Sequence, residues 1–303
     1  MSELSNFPRP VHLGVRDRLF AMRASGAIVG LDDDGAALLA DYSKIVSFKP
    51  GDWLLKEGET PEFLHILFEG SLRMIGGKHE LVTPASSRSI GLVCVLADEP
   101  SKLSVVAHTH ARALRIHRSA FRAALEENFS IVRGVFRTLA SAILDARSDL
   151  PADTMPGAEL VALPPRAPLT LTERAMELVN GGIFQGANLD FVFDIARILQ
   201  DIYVPAGHVF WRRGDAVSTS LRIISGVVVC QNARGERARV GSQFLLGNLS
   251  GLAGRPHVFD AVAETDVQAY ESRFEDFLVV LEAHPELANH ILRDFSRAAG
   301  QDV

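Results

Sequence analysis

The chain has 303 residues, of which 47% are hydrophobic and 22% charged, with a formal net charge of −6. That length suits two domains of ordinary size, each with a core of its own, and the composition is that of a soluble globular protein. The acidic balance excludes a surface made to follow phosphate backbones: the first 150 residues hold 18 basic against 18 acidic side chains and the remainder 13 against 19, so no nucleic-acid partner is expected.

No apolar run approaches ~20 residues, so no membrane contact is expected. The start, MSELSNFPRP, lacks the basic and apolar regions of a secretory leader, and a cytoplasmic protein is expected. Cys94 and Cys230 lie in apolar runs (GLVCVL, GVVVC) and read as small buried hydrophobes rather than a disulfide or metal pair.

In chain order, residues 1–15 hold Pro8 and Pro10 and read as an arm. A short helix is predicted from Arg16 to about Ser25, with Leu19, Phe20 and Met22 as its apolar side. Asp32, Asp33 and Asp34 precede the periodic run AALLADYSKIV, where acidic residues cap a helix and favour its first turn. Short strands with glycine turns then fill residues 45–117. Helical spacing returns from Arg118, with apolar residues at 121, 125, 129, 132, 136, 139 and 143, and Gly134 reads as a junction or kink.

Five prolines between 151 and 168 predict an interdomain linker at residues 151–169. Thr170 or Thr172 starts the next helix, which Gly181-Gly182 would end. A second β unit follows from Ile202 to Tyr270, and a helical tail closes the chain.

One offset orders all of this. Adding 156 to Gly51, Gly58, Gly70, Gly91 and Pro100 gives Gly207, Gly214, Gly226, Gly247 and Pro256, and the offset holds from about residue 37 to about 126. The chain is therefore expected to hold one domain twice. The fold class predicted is mainly β with flanking helices: two tandem double-stranded β-helix (jelly-roll-like) domains, each with N-terminal and C-terminal helices, at 16–150 and 170–303.

The segments FKPGDWLLKEGETPEFLHILFEGSLRM and VPAGHVFWRRGDAVSTSLRIISGVVVC resemble the cyclic-nucleotide-binding domain of catabolite-activator and kinase-regulatory-subunit type. The resemblance implies a phosphate cassette: a glycine and glutamate opening a short helix, then an arginine for the cyclic phosphate and a Ser/Thr. In the first copy the cassette positions are Gly91, Leu92 for the glutamate, Ser101 for the arginine, with Lys102 beside it, and Ser104. In the second they are Gly247, Asn248, Ser250, Arg255, His257 for the arginine, and Asp260 at the Ser/Thr position.

Losing a bidentate arginine removes a charge-assisted pair worth ~1.5–3 kcal/mol, and Asp260 would repel a phosphate. The resemblance further implies a non-catalytic regulatory protein with no resident cofactor, a cyclic nucleotide or cyclic dinucleotide as effector, and Arg133, Thr138 and Ser141 on the base side. The alternative is a ligand-free scaffold with degenerate pockets, meeting a protein partner or a second copy through helix 118–147, whose stripe is Val132, Phe136, Leu139 and Ile143. A polar pocket around Asn248, Ser250 and His257 would favour a ligand; filling by Leu92, Leu103 or Phe259 would favour the scaffold.

His108, His110 and His117 could be drawn as a metal site but read as strand-surface histidines. Arg212-Arg213 reads as a solvated turn. No G-x-S-x-G, H-E-x-x-H or P-loop motif occurs. No recognition helix is expected after the second domain.

Overall fold

A computed structural model describes residues 14–77, 79–84, 89–146, 150, 167–180 and 188–301. The arm up to residue 13, residues 151–166 of the linker and Gly181-Gly182 lie outside the described residues. Two compact units divide at Gly134 and Val135.

In the first unit, α1 (Val15–Ser25) and α2 (Asp33–Asp41) precede the strands. Asp32 caps α2, its Oδ1 accepting from Gly35 N at 2.8 Å and from Ser130 Oγ at 2.6 Å. These two bonds hold its carboxyl below the usual range, so the acidic cluster is a cap.

The strands are β1 (Ser43–Phe48), β2 (Trp53–Leu55), β3 (Phe63–Glu69), β4 (Ser71–Gly76), β5 (His79–Pro84) and β6 (Ser89–Ile90). Helix α3 (Leu92–Ala97) follows, then β7 (Ser104–Ala107), β8 (Ala111–His117), α4 (Arg118–Glu127) and α5 (Phe129–Ala146), which runs on past Gly134 into the second unit. Two four-stranded antiparallel sheets result, ordered β1-β8-β3-β6 and β2-β7-β4-β5, which is the expected jelly-roll topology.

The second unit contains α6 (Leu171–Asn180), α7 (Leu189–Ile198), β9 (Gln200–Val204), β10 (Val209–Trp211), β11 (Thr219–Ser225) and β12 (Val228–Gln231). It continues through β13 (Arg237–Val240), β14 (Leu245–Leu246), α8 (Asn248–Ala253), β15 (Asp260–Ala263), β16 (Val267–Arg273), α9 (Phe274–Ala283) and α10 (Pro285–Gln301). Its sheets run β9-β16-β11-β14 and β10-β15-β12-β13, strand for strand the order of the first unit.

Even the irregularities recur 156 residues on. β3 shifts register against β8 between Leu67 and Glu69, as β11 does against β16 between Ile223 and Ser225. The equivalence reaches beyond the span legible in the sequence, because α1 and α6 begin at 15 and 171, and α5 and α10 at 129 and 285.

The shared glycines explain the constant spacing. All four pairs have positive φ, from +80° at Gly58 to +96° at Gly70. At Gly70 and Gly226 a Cβ would lie 2.4 Å from His110 O and 2.2 Å from Asp266 O, so the backbone itself fills the place of a side chain.

Each roll encloses its own core. Leu55, Leu67, Leu72 and Ile90 lie in the first, and Trp211, Ile223, Val228 and Leu246 stand at the matching positions of the second.

Two expectations for the helices are corrected. The break after the first roll is at Asn128, which is extended (φ −144°, ψ 109°) and accepts from Ser130 N at 2.8 Å; Gly134 lies inside α5. At 134 glycine eases a close approach, since a Cβ would sit tightly at 3.0 Å from Ile28 Cγ2 and 3.2 Å from Val29 O. The tail of the second unit breaks at the equivalent His284, with Pro285 as the first residue of α10, where a proline's missing N–H costs nothing.

The stripe Val132, Phe136, Leu139 and Ile143 is not a free contact face, because all four are buried within the chain at 1–3% exposure. In the second unit Phe136 meets Phe295 edge-on at 5.8 Å.

Candidate functional site

Each cassette begins where a strand ends on a glycine held in the left-handed region: Gly91 (φ +89°) before α3 and Gly247 (φ +83°) before α8. A side chain there would be strained by the positive φ and crowded as well, since a Cβ would lie 3.1 Å from Phe63 O in one copy and 2.9 Å from Thr219 O in the other. Both short helices then end on a second left-handed residue, Asp98 (φ +60°) and Gly254 (φ +64°).

The residues at the arginine position are clasped by identical backbone bonds. Gly58 N donates to Ser101 O at 2.8 Å and Ser101 N to Glu59 O at 3.0 Å; Gly214 N donates to His257 O at 2.8 Å and His257 N to Asp215 O at 2.9 Å. The backbone of this segment is thus held alike in both rolls, while the side chains differ.

In the first roll, Ser101 is buried and its hydroxyl turns to its own loop, donating to Leu103 O at 2.7 Å. Leu92 is 3% exposed, and Leu103 packs on the roll's core. Lys102 is exposed. Ser104 Oγ accepts from Glu57 N at 3.0 Å. Burial pushes the Cys94 thiol up, with the Ser101 hydroxyl acting the other way.

In the second roll, the His257 ring stacks face to face on Trp211, with centroids 4.1 Å apart and planes at 9°. His257 is 4% exposed, and its Cε1 lies 3.5 Å from where a Gly247 Cβ would be. Phe259 closes on Trp211 at 6.1 Å. Burial lowers the imidazole pKa to about 4, against the opposing pull of Asp215, so the ring is neutral at pH 7. Neither His257 Nδ1 nor Trp211 Nε1 meets a protein partner.

Asn248, the first residue of α8, is half-buried, and Ser250 is buried, with its carbonyl accepting from Arg255 N at 3.0 Å. Arg255 Nη1 turns to Asp145 Oδ1 at 2.6 Å. Asp260 Oδ1 accepts from Arg213 N at 2.7 Å, which is the role Ser104 has in the first roll, while its Oδ2 lies 3.8 Å from Arg212. The Arg212-Arg213 turn and Asp260 therefore form one feature.

The geometry brings Leu92 and Ser101 into a buried apolar surround and His257 into an aromatic stack. It leaves Lys102 and Arg255 outside. Arg133 is exposed and favours the Asp32 carboxylate; Thr138 and Ser141 are half-buried on α5.

Sequence reasoning missed an open cavity of about 460 Å³ beside α4, lined by Glu62, His117, Arg118, Arg122 and Glu126. Both arginines reach Asp98, at 2.8 and 3.4 Å. The i, i+4 arginine pair was visible in the sequence, but its acidic partner lies twenty residues upstream. Among the described residues no group of three or more His, Cys, Asp or Glu could hold a metal ion, and no helix is long and apolar enough to cross a membrane. His117 caps α4, and His108 and His110 are exposed.

Residues 45–128 match the cyclic nucleotide-binding domain family. Among solved structures, the chain is similar to the regulatory subunit of a cAMP-independent protein kinase A from Trypanosoma brucei (17% identity, covering 93% of this chain and 89% of that chain, TM-score 0.36). It is also similar to the corresponding subunit from Trypanosoma cruzi bound to guanosine (15% identity, 91% and 88%, TM-score 0.34). A third is the regulatory domain of Toxoplasma gondii PKA with cAMP (13% identity, 92% and 97%, TM-score 0.34).

Proposed function

We propose that this chain, whose residues 45–128 belong to the cyclic nucleotide-binding domain family, is a non-catalytic regulatory protein of the cytoplasm whose two rolls have filled their own phosphate cassettes. It acts through protein contacts, without holding a cyclic nucleoside monophosphate by an arginine pair. The observation that carries this reading is the His257–Trp211 stack at 4.1 Å, which puts a neutral ring where the family places a cation. In the first roll, Ser101 bonded to Leu103 and the buried Leu92 act in the same direction. A phosphate entering either cassette would find no cation at the arginine position, where Ser101 and His257 stand, and its desolvation would lack that charge-assisted pair.

Thermal unfolding of the full chain with cAMP, cGMP or a cyclic dinucleotide tests this. A ligand held at 100 times its Kd would add ~2.7 kcal/mol and raise Tm by several degrees. The expected result is an unchanged Tm with each compound. A rise that Ser101→Ala or His257→Ala abolishes would overturn the reading and make that roll a sensor with an altered cassette.

A further inference from the structure

The two rolls seat their N-terminal helices on chemically opposite surfaces. In the second unit Asp201, Tyr270 and Arg222 are neighbours in one row across β9, β16 and β11. Their partners along those strands, Ile202, Ala269, Leu221 and Ile223, belong to the core, so the row occupies the other face of the sheet.

Helix α6 meets that row with Arg174 and Glu177, three residues apart on one helical face. Tyr270 Oη donates to Glu177 Oε2 at 2.8 Å, and Arg174 Nη2 to Asp201 Oδ2 at 2.8 Å. Arg174 Nη1 also donates to Ala196 O at 2.9 Å and Leu199 O at 2.5 Å. The guanidinium of Arg174 lies 5.3 Å from the Tyr270 ring centroid. Arg222 is 6% exposed, lies within the field of Glu177, and donates to Gln243 Oε1, whose residue sits at φ +71°.

The same positions of the first unit hold Ile45, Leu114 and Ile66 in the sheet and Ala21 on α1. Only the arginine is shared: Arg18 Nε donates to Ala40 O at 2.9 Å, as Arg174 does to Ala196 O. One seat is therefore apolar, and the other sets Asp201 and Arg222 on either side of the buried Tyr270 ring, facing Arg174 and Glu177 of α6.

We propose that α6 is a releasable strap: it can leave the outer face of the second roll while that roll stays folded, whereas α1 stays with the first roll until the roll itself unfolds. An apolar seat cannot be bared without exposing Ile66 and Leu114 to water. A seat of half-buried ion pairs around one buried arginine has little net stability over its solvated state, because desolvation and side-chain ordering offset the attraction between the partners. Three atoms within it, Arg222 Nε, Arg174 Nε and Asp201 Oδ1, have no protein partner and would each gain water on release. The charges fix where α6 docks; they add little to how firmly it docks.

Hydrogen exchange of the full chain, corrected for intrinsic rates, tests this. The amides of α6 should exchange at least roughly tenfold faster than those of α1, with β11 and β16 still protected. Giving the second roll the residues of the first (Asp201→Ile, Glu177→Ala, Arg222→Ile, Tyr270→Leu) should slow α6 to the rate of α1. Should that variant not fold, Tyr270→Phe decides: it should speed exchange in α6 and leave β16 unchanged. The proposal is overturned if α6 in the native chain is as protected as α1, or if Tyr270→Phe speeds α6 and the strands together.

Discussion

The two rolls share their strand order, their register shifts and their left-handed glycines, and they differ in what fills them. Ser101 and Leu55 of the first roll become His257 and Trp211 of the second, and the apolar seat under α1 becomes the charged seat under α6. The comparison separates two kinds of constraint. A positive φ favours glycine at all four pairs, and at Gly70/Gly226 and Gly91/Gly247 a close backbone carbonyl adds to it, so those positions coincide. A side-chain niche can be filled in several ways of similar stability, so those positions have diverged while the clasp around them stays the same.

The largest effect should therefore be equal in the two halves. Gly70→Ala and Gly226→Ala each force a Cβ into a carbonyl oxygen at positive φ. Each should cost about 3 kcal/mol, read as a lower urea midpoint of its own unit. A cost in one unit only would break the equivalence of the rolls.

The next effect should be unequal. His257→Ala removes a buried stacked ring and should cost about 2–3 kcal/mol, whereas Ser101→Ala removes one hydroxyl hydrogen bond and should cost about 1 kcal/mol.

Acid sharpens the comparison further, because among the described residues each roll buries one histidine with its pKa lowered to about 4: His65 in the first and His257 in the second. The unfolded chain binds these protons below about pH 6.5, while the folded chain does not until about pH 4. Stability from both groups is therefore full above pH 6.5, falls as pH falls from 6.5 to 4, and is then lost. Unfolding midpoints across this range should decline for both units, and His257→Asn should flatten the decline for the second alone.

The smallest effect concerns Asp260. Because Ser104 accepts from Glu57 N as Asp260 accepts from Arg213 N, Asp260→Ser should change stability by less than about 1 kcal/mol.

The fold was legible because glycine turns are local and repeat at one offset. The helix breaks at Asn128 and His284 were not, because the apolar spacing that signals a helix continues through them and the break lies in the backbone. Gly134 suggested a kink, but its reason is the nearness of Ile28 and Val29, residues a hundred positions away. The cassette substitutions were readable one by one, yet the pairing of His257 with Trp211 depends on residues 46 apart whose contact only the folded roll creates. The charged seat left no local mark either, since Glu177, Asp201, Arg222 and Tyr270 belong to four different elements.

The central claim, that the second roll fills its own cassette, is tested most directly by the fluorescence of Trp211 in a Trp53→Phe background during titration with cAMP. Trp211 then reports alone from the stack with His257. The account predicts an emission spectrum that does not move up to millimolar ligand, and a saturable shift would contradict it by showing that cAMP displaces the histidine.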